Sequence, residues 1–315
     1  MSDSTIRLGM VQPQGRAGDD APKMLDDALA FVAEGAAQGV DLLVFPETYP
    51  GPVSWHTRYE VLGPMSEAAA EHGVDLVVGT TEKADGNEQA FHIASVVIGR
   101  DGEIRGRYQR THPGGTYYHG LYAAGPFWEF DYIPADDMPV FEMEWGTIGI
   151  SICSEVYVPQ IAHALANKGA ELVVFPTGCM IDDLELTDNW QTLIRARAIE
   201  NNIYTATTMN LFDEELRTGH AVQGDLKPVD TATGLSAGHA MIASPEYVIG
   251  KMRGTGILTS DLDLDYIRKM RVEPEFPDGV TVPAPYTTLP GIKNLDRPEL
   301  AELGKAEREA ARAGS

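Results

Sequence analysis

Short apolar runs alternate along this chain with stretches whose apolar positions recur every three or four residues. That alternation predicts an α/β fold. Residues 6–11 (IRLGMV) read as a buried strand. Asp20 stands where a helix cap is needed, and Leu25, Ala28, Leu29, Val32 and Ala36 then share one helical face. Gly39 stops that helix, and DLLVFPE at 41–47 predicts a strand with Glu47 at its carboxyl end. A helical pattern over 64–72 and a strand over 74–79 repeat the theme. Residues 91–98 and 103–108 flank Asp101-Gly102, a strong hairpin signal, so antiparallel strands extend a sheet begun by crossover units.

The second half is organised around residues 146–176, GTIGISICSEVYVPQIAHALANKGAELVVFP. Ile148, Ile150 and Ile152 alternate with Gly149 and Ser151 as in a strand, after a preceding strand over 139–144. Pro159 opens a helix carrying Ile161, Ala164, Leu165 and Lys168; Gly169 ends it, and 171–175 is the next strand. Cys153 therefore sits where a strand turns into a helix. Free N–H groups there favour a thiolate and bind an oxyanion, although a lone cysteine is more often an inert core residue. Beyond it the pattern predicts a helix over 186–200 with Leu193, Ala196 and Ile199 on one side. Strands follow over 203–209, 239–244, 247–251 and 254–262. Residues 112–139 lack regular pattern, and a loop that long inside a compact domain is usually functional. One domain is expected over 1–275, with 276–315 as an extended, proline-bearing tail that ends in an Ala/Glu-rich, potentially helical segment.

Charge narrows the function classes. The formal net charge of −23 repels phosphate backbones and anionic membranes, so neither nucleic acid nor a membrane is an expected partner. Two cysteines, no signal-like start and no apolar run long enough to span a bilayer point to a reducing cytoplasm. His92, His112 and His119 match no zinc spacing, and no metal is expected.

Glu47 after VFP, Arg110 within YQRTHP, Cys153 within ICSEVYVPQ, the RARAIENN run at 195–202 and Asn210 after the following strand together resemble the nitrilase superfamily, the carbon–nitrogen hydrolases. The resemblance spans roughly residues 6–262. It implies a four-layer α-β-β-α sandwich of two mixed sheets. It also implies hydrolysis of a non-peptide amide or N-carbamoyl bond through a cysteine thioester, with no metal or organic cofactor. Glu47 would be the general base, Cys153 the nucleophile and Arg110 the cation at the oxyanion, where the family carries lysine. Glu129 in FWEFDYIP corresponds loosely to a further family acid that orients the cation or shares proton transfer. The N–H of Ser154 is the expected oxyanion donor, and Glu155 is expected to brace the turn. Tyr49, Trp128 and Cys179 are expected to shape a pocket for a small amide-type substrate, among further loop aromatics Trp55, Tyr117, Tyr118 and Tyr122. Cys-Ser-Glu-Val after the strand departs from the Cys-Trp-Glu-Asn of the nitrile-processing branch. Family members associate through the helical layer beside the cysteine, so a homo-oligomer, at least a dimer, is implied. A catalytically silent relative, an acyl-transferring one and a nitrile-processing enzyme stay open at this point.

Overall fold

The computed structural model describes residues 4–16, 20–51, 59–84, 90–112, 131–132, 134–178, 184–211 and 238–272. Strand β1 (Thr5–Gln12), helix α1 (Lys23–Ala37), β2 (Leu42–Val44), α2 (Leu62–His72) and β3 (Asp75–Lys83) form the two crossover units the pattern predicts. The β4 (Ala90–Ile98) and β5 (Ile104–Gln109) strands pair antiparallel around Gly102, whose φ of 84° suits glycine. The short β6 (Asp131–Tyr132) runs beside β4. Strands β7 (Val140–Met143) and β8 (Gly146–Ile150) pair antiparallel ahead of helix α3 (Pro159–Asn167), β9 (Leu172–Thr177), α4 (Leu184–Asn201) and β10 (Tyr204–Met209). Strands β11 (Ala240–Ala243), β12 (Val248–Met252) and β13 (Gly256–Asp263) follow, then α5 (Leu264–Val272).

Two mixed sheets result. One has the order β13-β1-β2-β3-β4-β5, with β6 beside β4; the other has β12-β11-β10-β9-β8-β7. The parallel trios are β1-β2-β3 and β8-β9-β10, each extended by antiparallel strands. Alternation along β2 shows why both faces are apolar. Leu42 and Val44 join the core that also holds Ile150, Val174 and Ile242 of the second sheet, while Leu43 and Phe45 join the core under α1 and α2. Helices α3 and α4 cover the second sheet through Ile161, Leu165, Trp190 and Ile194. This is the α-β-β-α sandwich. No helix among the described residues is long and apolar enough to cross a membrane.

Two local expectations are corrected. Asp20 does not cap α1: its carboxylate pairs with Lys23 at 2.5 Å, and Pro22 precedes the helix without a side-chain cap. The α-helix after Cys153 does open at Pro159, and a 3-10 turn over Cys153–Tyr157 precedes it. Proline disfavours helical backbone in the residue before it, and Val158 is accordingly non-helical at φ −104°, ψ 89°. On α4 the inward side is Trp190, Ile194, Arg197, Ala198 and Asn201, whereas Ile199 is exposed. Arg197 is drawn in because its guanidinium donates twice to the Val156 carbonyl, at 3.2 and 3.0 Å. Helix α5 carries a run, LDYIRKMRV, too charged to announce itself by hydropathy. The expected tail, 276–315, lies outside the described residues.

Candidate active site

Glu47 lies three residues past β2, Arg110 follows β5 directly, and Cys153 lies three residues past β8. Strand direction brings these ends together, because β2, β5 and β8 all deliver their carboxyl ends to one edge of the sandwich. Close backbone approach sets the Glu47 turn. The segment after β2 crosses Gly79 of β3, whose N–H donates to the Tyr49 carbonyl at 2.9 Å. A Cβ on Gly79 would lie 2.2 Å from the Pro46 carbonyl oxygen, so only glycine lets the turn pass. Thr48 and Cys153 are non-glycine residues in left-handed backbone, at φ 54° and 52°. Such strain persists only where surrounding contacts over-determine it, and here it lies next to Glu47 and at Cys153 itself.

The Glu47 carboxylate is fully buried and held from both sheets. Its Oε1 accepts from Arg110 Nη1 at 2.7 Å, and Oε2 accepts from the Gly178 N–H at 2.9 Å. Asn210 Nδ2 donates to its backbone carbonyl at 3.1 Å, as Thr48 Oγ1 does at 2.8 Å. Arg110 is 2% exposed and Cys153 3%. Arg110 Nη2 reaches across to the hydroxyl of Ser154. One guanidinium thus joins the carboxylate of the first sheet to the residue after the thiol in the second.

Glu155 braces this junction. Its Oε1 accepts from the Thr111 N–H at 2.8 Å, the Thr111 hydroxyl at 2.7 Å and the His112 N–H at 3.0 Å. Its Oε2 accepts from the Ile152 N–H at 2.6 Å and the Tyr108 hydroxyl at 2.8 Å. The strand end bearing Arg110 and the turn bearing Cys153 are therefore tied to the same buried carboxylate. Burial, then the neighbouring Glu155 charge, hold the Tyr108 phenol well above its ordinary pKa, so it donates as a neutral hydroxyl. Burial, then the nearby Cys153 sulfur, likewise raise Tyr157. Glutamine at 155 would turn an NH2 group onto donors that need an acceptor, and each buried donor left unsatisfied costs about 1–3 kcal/mol. Glu155→Gln is expected to lower the urea midpoint and slow iodoacetamide labelling of Cys153. Unchanged labelling would show that the brace does not position the thiol.

The structure thus brings together Glu47, Arg110, Cys153 and Ser154. Tyr49 takes a different place from the one expected of it. Its ring is wholly buried in the core against α1 and α2, stacked on Phe45 at 6.0 Å, and supports the Glu47 turn from behind. Glu129, Trp128 and Cys179 lie outside the described residues. Residue-level reading assigned no role to Gly178 or to the Asn210 side chain. A polar amide closing a β-strand run was a usable signal for Asn210; a backbone N–H such as that of Gly178 leaves none.

Known proteins resemble this chain over most of its length. The chain is 25% identical over 260 residues to Omega-amidase NIT2-B of Xenopus laevis, covering 78% of this chain and 85% of that one. It is 25% identical over 289 residues to Omega-amidase NIT2 of Homo sapiens, covering 85% and 92%. Among solved structures, a carbon-nitrogen hydrolase from Helicobacter pylori G27 superimposes with TM-score 0.69 at 19% identity, over 85% of this chain and 92% of that one. A form of the amidase from Nesterenkonia sp. AN1 superimposes with TM-score 0.64 at 22% identity, over 87% and 96%. In it the acetamide moiety of fluoroacetamide is covalently added at the active site cysteine. The carbon-nitrogen hydrolase model matches residues 7–272, from β1 to the end of α5, and on that match the chain belongs to the carbon–nitrogen hydrolase family.

Proposed function

We propose that this chain hydrolyses the carbon–nitrogen bond of a small amide or N-carbamoyl compound through a thioester on Cys153. One observation carries the reading: the Arg110 guanidinium bridges the buried Glu47 carboxylate and the residue following Cys153. The omega-amidase relatives and the covalently modified amidase cysteine support it.

In this scheme Glu47 takes the thiol proton and the Cys153 sulfur attacks the carbonyl carbon. Arg110 and the Gly178 N–H hold the carboxylate by its two oxygens. Negative charge gathers on the carbonyl oxygen, where the Ser154 N–H and the Arg110 cation stabilise it. The C–N bond then breaks as Glu47 protonates the leaving amine or ammonia. Water, deprotonated by Glu47, attacks the thioester; the C–S bond breaks, the acid leaves and the thiol is restored. The left-handed turn at Cys153 presents the sulfur at the strand end in the manner of a nucleophile elbow. Ammonia release from a panel of simple primary amides, compared between the wild-type chain and Cys153→Ala, tests the reading.

We also infer that the chain assembles as at least a dimer through the α3–α4 layer. Tyr157 and Ile199 are exposed there at 46% and 45%, beside the turn that carries Cys153. Exposed large apolar groups on one helical layer favour burial against a second copy. Sedimentation velocity should show a dimer or larger that Ile199→Glu weakens; a monomeric wild-type chain at micromolar concentration would refute this.

A further inference from the structure

The scheme above uses only the backbone N–H of Ser154, yet its hydroxyl has a place in the site. It accepts from Arg110 Nη2, while Nη1 of the same guanidinium donates to Glu47 Oε1 at 2.7 Å. A guanidinium is planar and rigid, so fixing both terminal nitrogens fixes the plane of the whole group. An ammonium on a flexible stem has no such plane, and one partner suffices to hold it. Glu155 separately secures the backbone on either side: Thr111 and His112 after the arginine, Ile152 before the thiol. The backbone brace brings Arg110 and Ser154 within reach, and the hydroxyl then sets the direction of the charged group. Arg110 is buried and Ser154 half-buried, so this bond competes with little solvent.

We propose that Ser154 is a positioning residue whose hydroxyl orients the Arg110 guanidinium between Glu47 and the reacting centre. This inference rests on the cysteine-hydrolase reading and deepens it. The cation and the residue after the nucleophile form a matched pair, and the hydroxyl matters only while residue 110 presents a fork. Losing it leaves the charge in place and lets its direction wander. The loss should therefore fall on the chemical step and spare substrate binding.

The test compares wild type, Ser154→Ala, Ser154→Thr, Arg110→Lys and the Arg110→Lys/Ser154→Ala double variant on one primary amide. Steady-state constants are read beside quenched-flow intact mass, which times acylation of Cys153 even in slow variants. Ser154→Ala should lower kcat and the acylation rate roughly 10- to 30-fold with KM within about 2-fold. Threonine should restore the rate to within about 3-fold, and in the lysine background removal of the hydroxyl should change it by less than about 2-fold. Equal losses in both backgrounds, a threonine variant as slow as the alanine one, or an unchanged Ser154→Ala would each overturn the proposal. A wild-type chain that forms no acyl adduct overturns the hydrolase reading and this inference with it. An adduct without coupling between the two residues overturns this inference alone.

Discussion

Cys153→Ala is expected to keep the fold and to lose at least about 10⁴-fold of amide turnover. Alanine is smaller than cysteine and carries no polar group, so the 3% exposed site tolerates it with a modest cavity. The structural anchors of the turn lie elsewhere. Glu155 holds the Ile152 N–H, and Arg197 holds the Val156 carbonyl. Alanine must still occupy left-handed backbone at φ 52°, as cysteine does, so the strain at this turn is unchanged in kind. What disappears is the sulfur on which the proposed scheme builds its thioester, and neither Glu47 nor Arg110 can replace it. Circular dichroism and urea unfolding close to wild type, together with absent ammonia release, are the expected pair of results. Turnover that persists in Cys153→Ala would remove the thioester from the account.

Arg110→Met is expected to lose both turnover and stability. Methionine fills part of the arginine's stem volume but leaves the fully buried Glu47 carboxylate without its cation. Removing one partner of a buried ion pair typically costs about 3–5 kcal/mol, far more than an exposed pair is worth. Loss of a charge-stabilising donor at the oxyanion further lowers kcat by about 10²–10³-fold. The two effects separate in the double variant Arg110→Met/Glu47→Gln. There the uncompensated charge is gone, so most of the lost stability should return while turnover stays lost. Urea midpoints and amide hydrolysis across the four chains measure both. A midpoint for Arg110→Met equal to wild type would mean that the buried ion pair contributes little to stability.

Much of this site was legible because strand ends are legible. An apolar run followed by Pro46-Glu47, and an alternating one ending at Cys153, place both residues at carboxyl ends before any coordinates exist. The sandwich itself was an implication of family resemblance, since periodicity alone distinguishes α/β from other classes without stacking the sheets. Contacts made by backbone or by choice of rotamer stayed hidden. Gly178 meets Glu47 through an N–H that every non-proline residue possesses. Ser154 was expected to act through its N–H; that its hydroxyl also meets Arg110 was not foreseen. Tyr49 looked like a pocket aromatic, yet the turn after Glu47 rotates it into the core with Phe45. The 3-10 turn between Cys153 and the helix that Pro159 opens left no sequence signal of its own. Glu155 was read correctly as a brace, although not as the residue that ties in the arginine strand as well.

Formation of a covalent acyl-enzyme tests the central claim most directly. The wild-type chain and Cys153→Ala are mixed with a primary amide, quenched in acid within the first turnover, and weighed intact. The account predicts a mass increase on the wild-type chain equal to the acyl group, mapped to the peptide containing Cys153 and absent from the alanine variant. Ammonia release without any adduct, or an adduct on a residue other than Cys153, would contradict it.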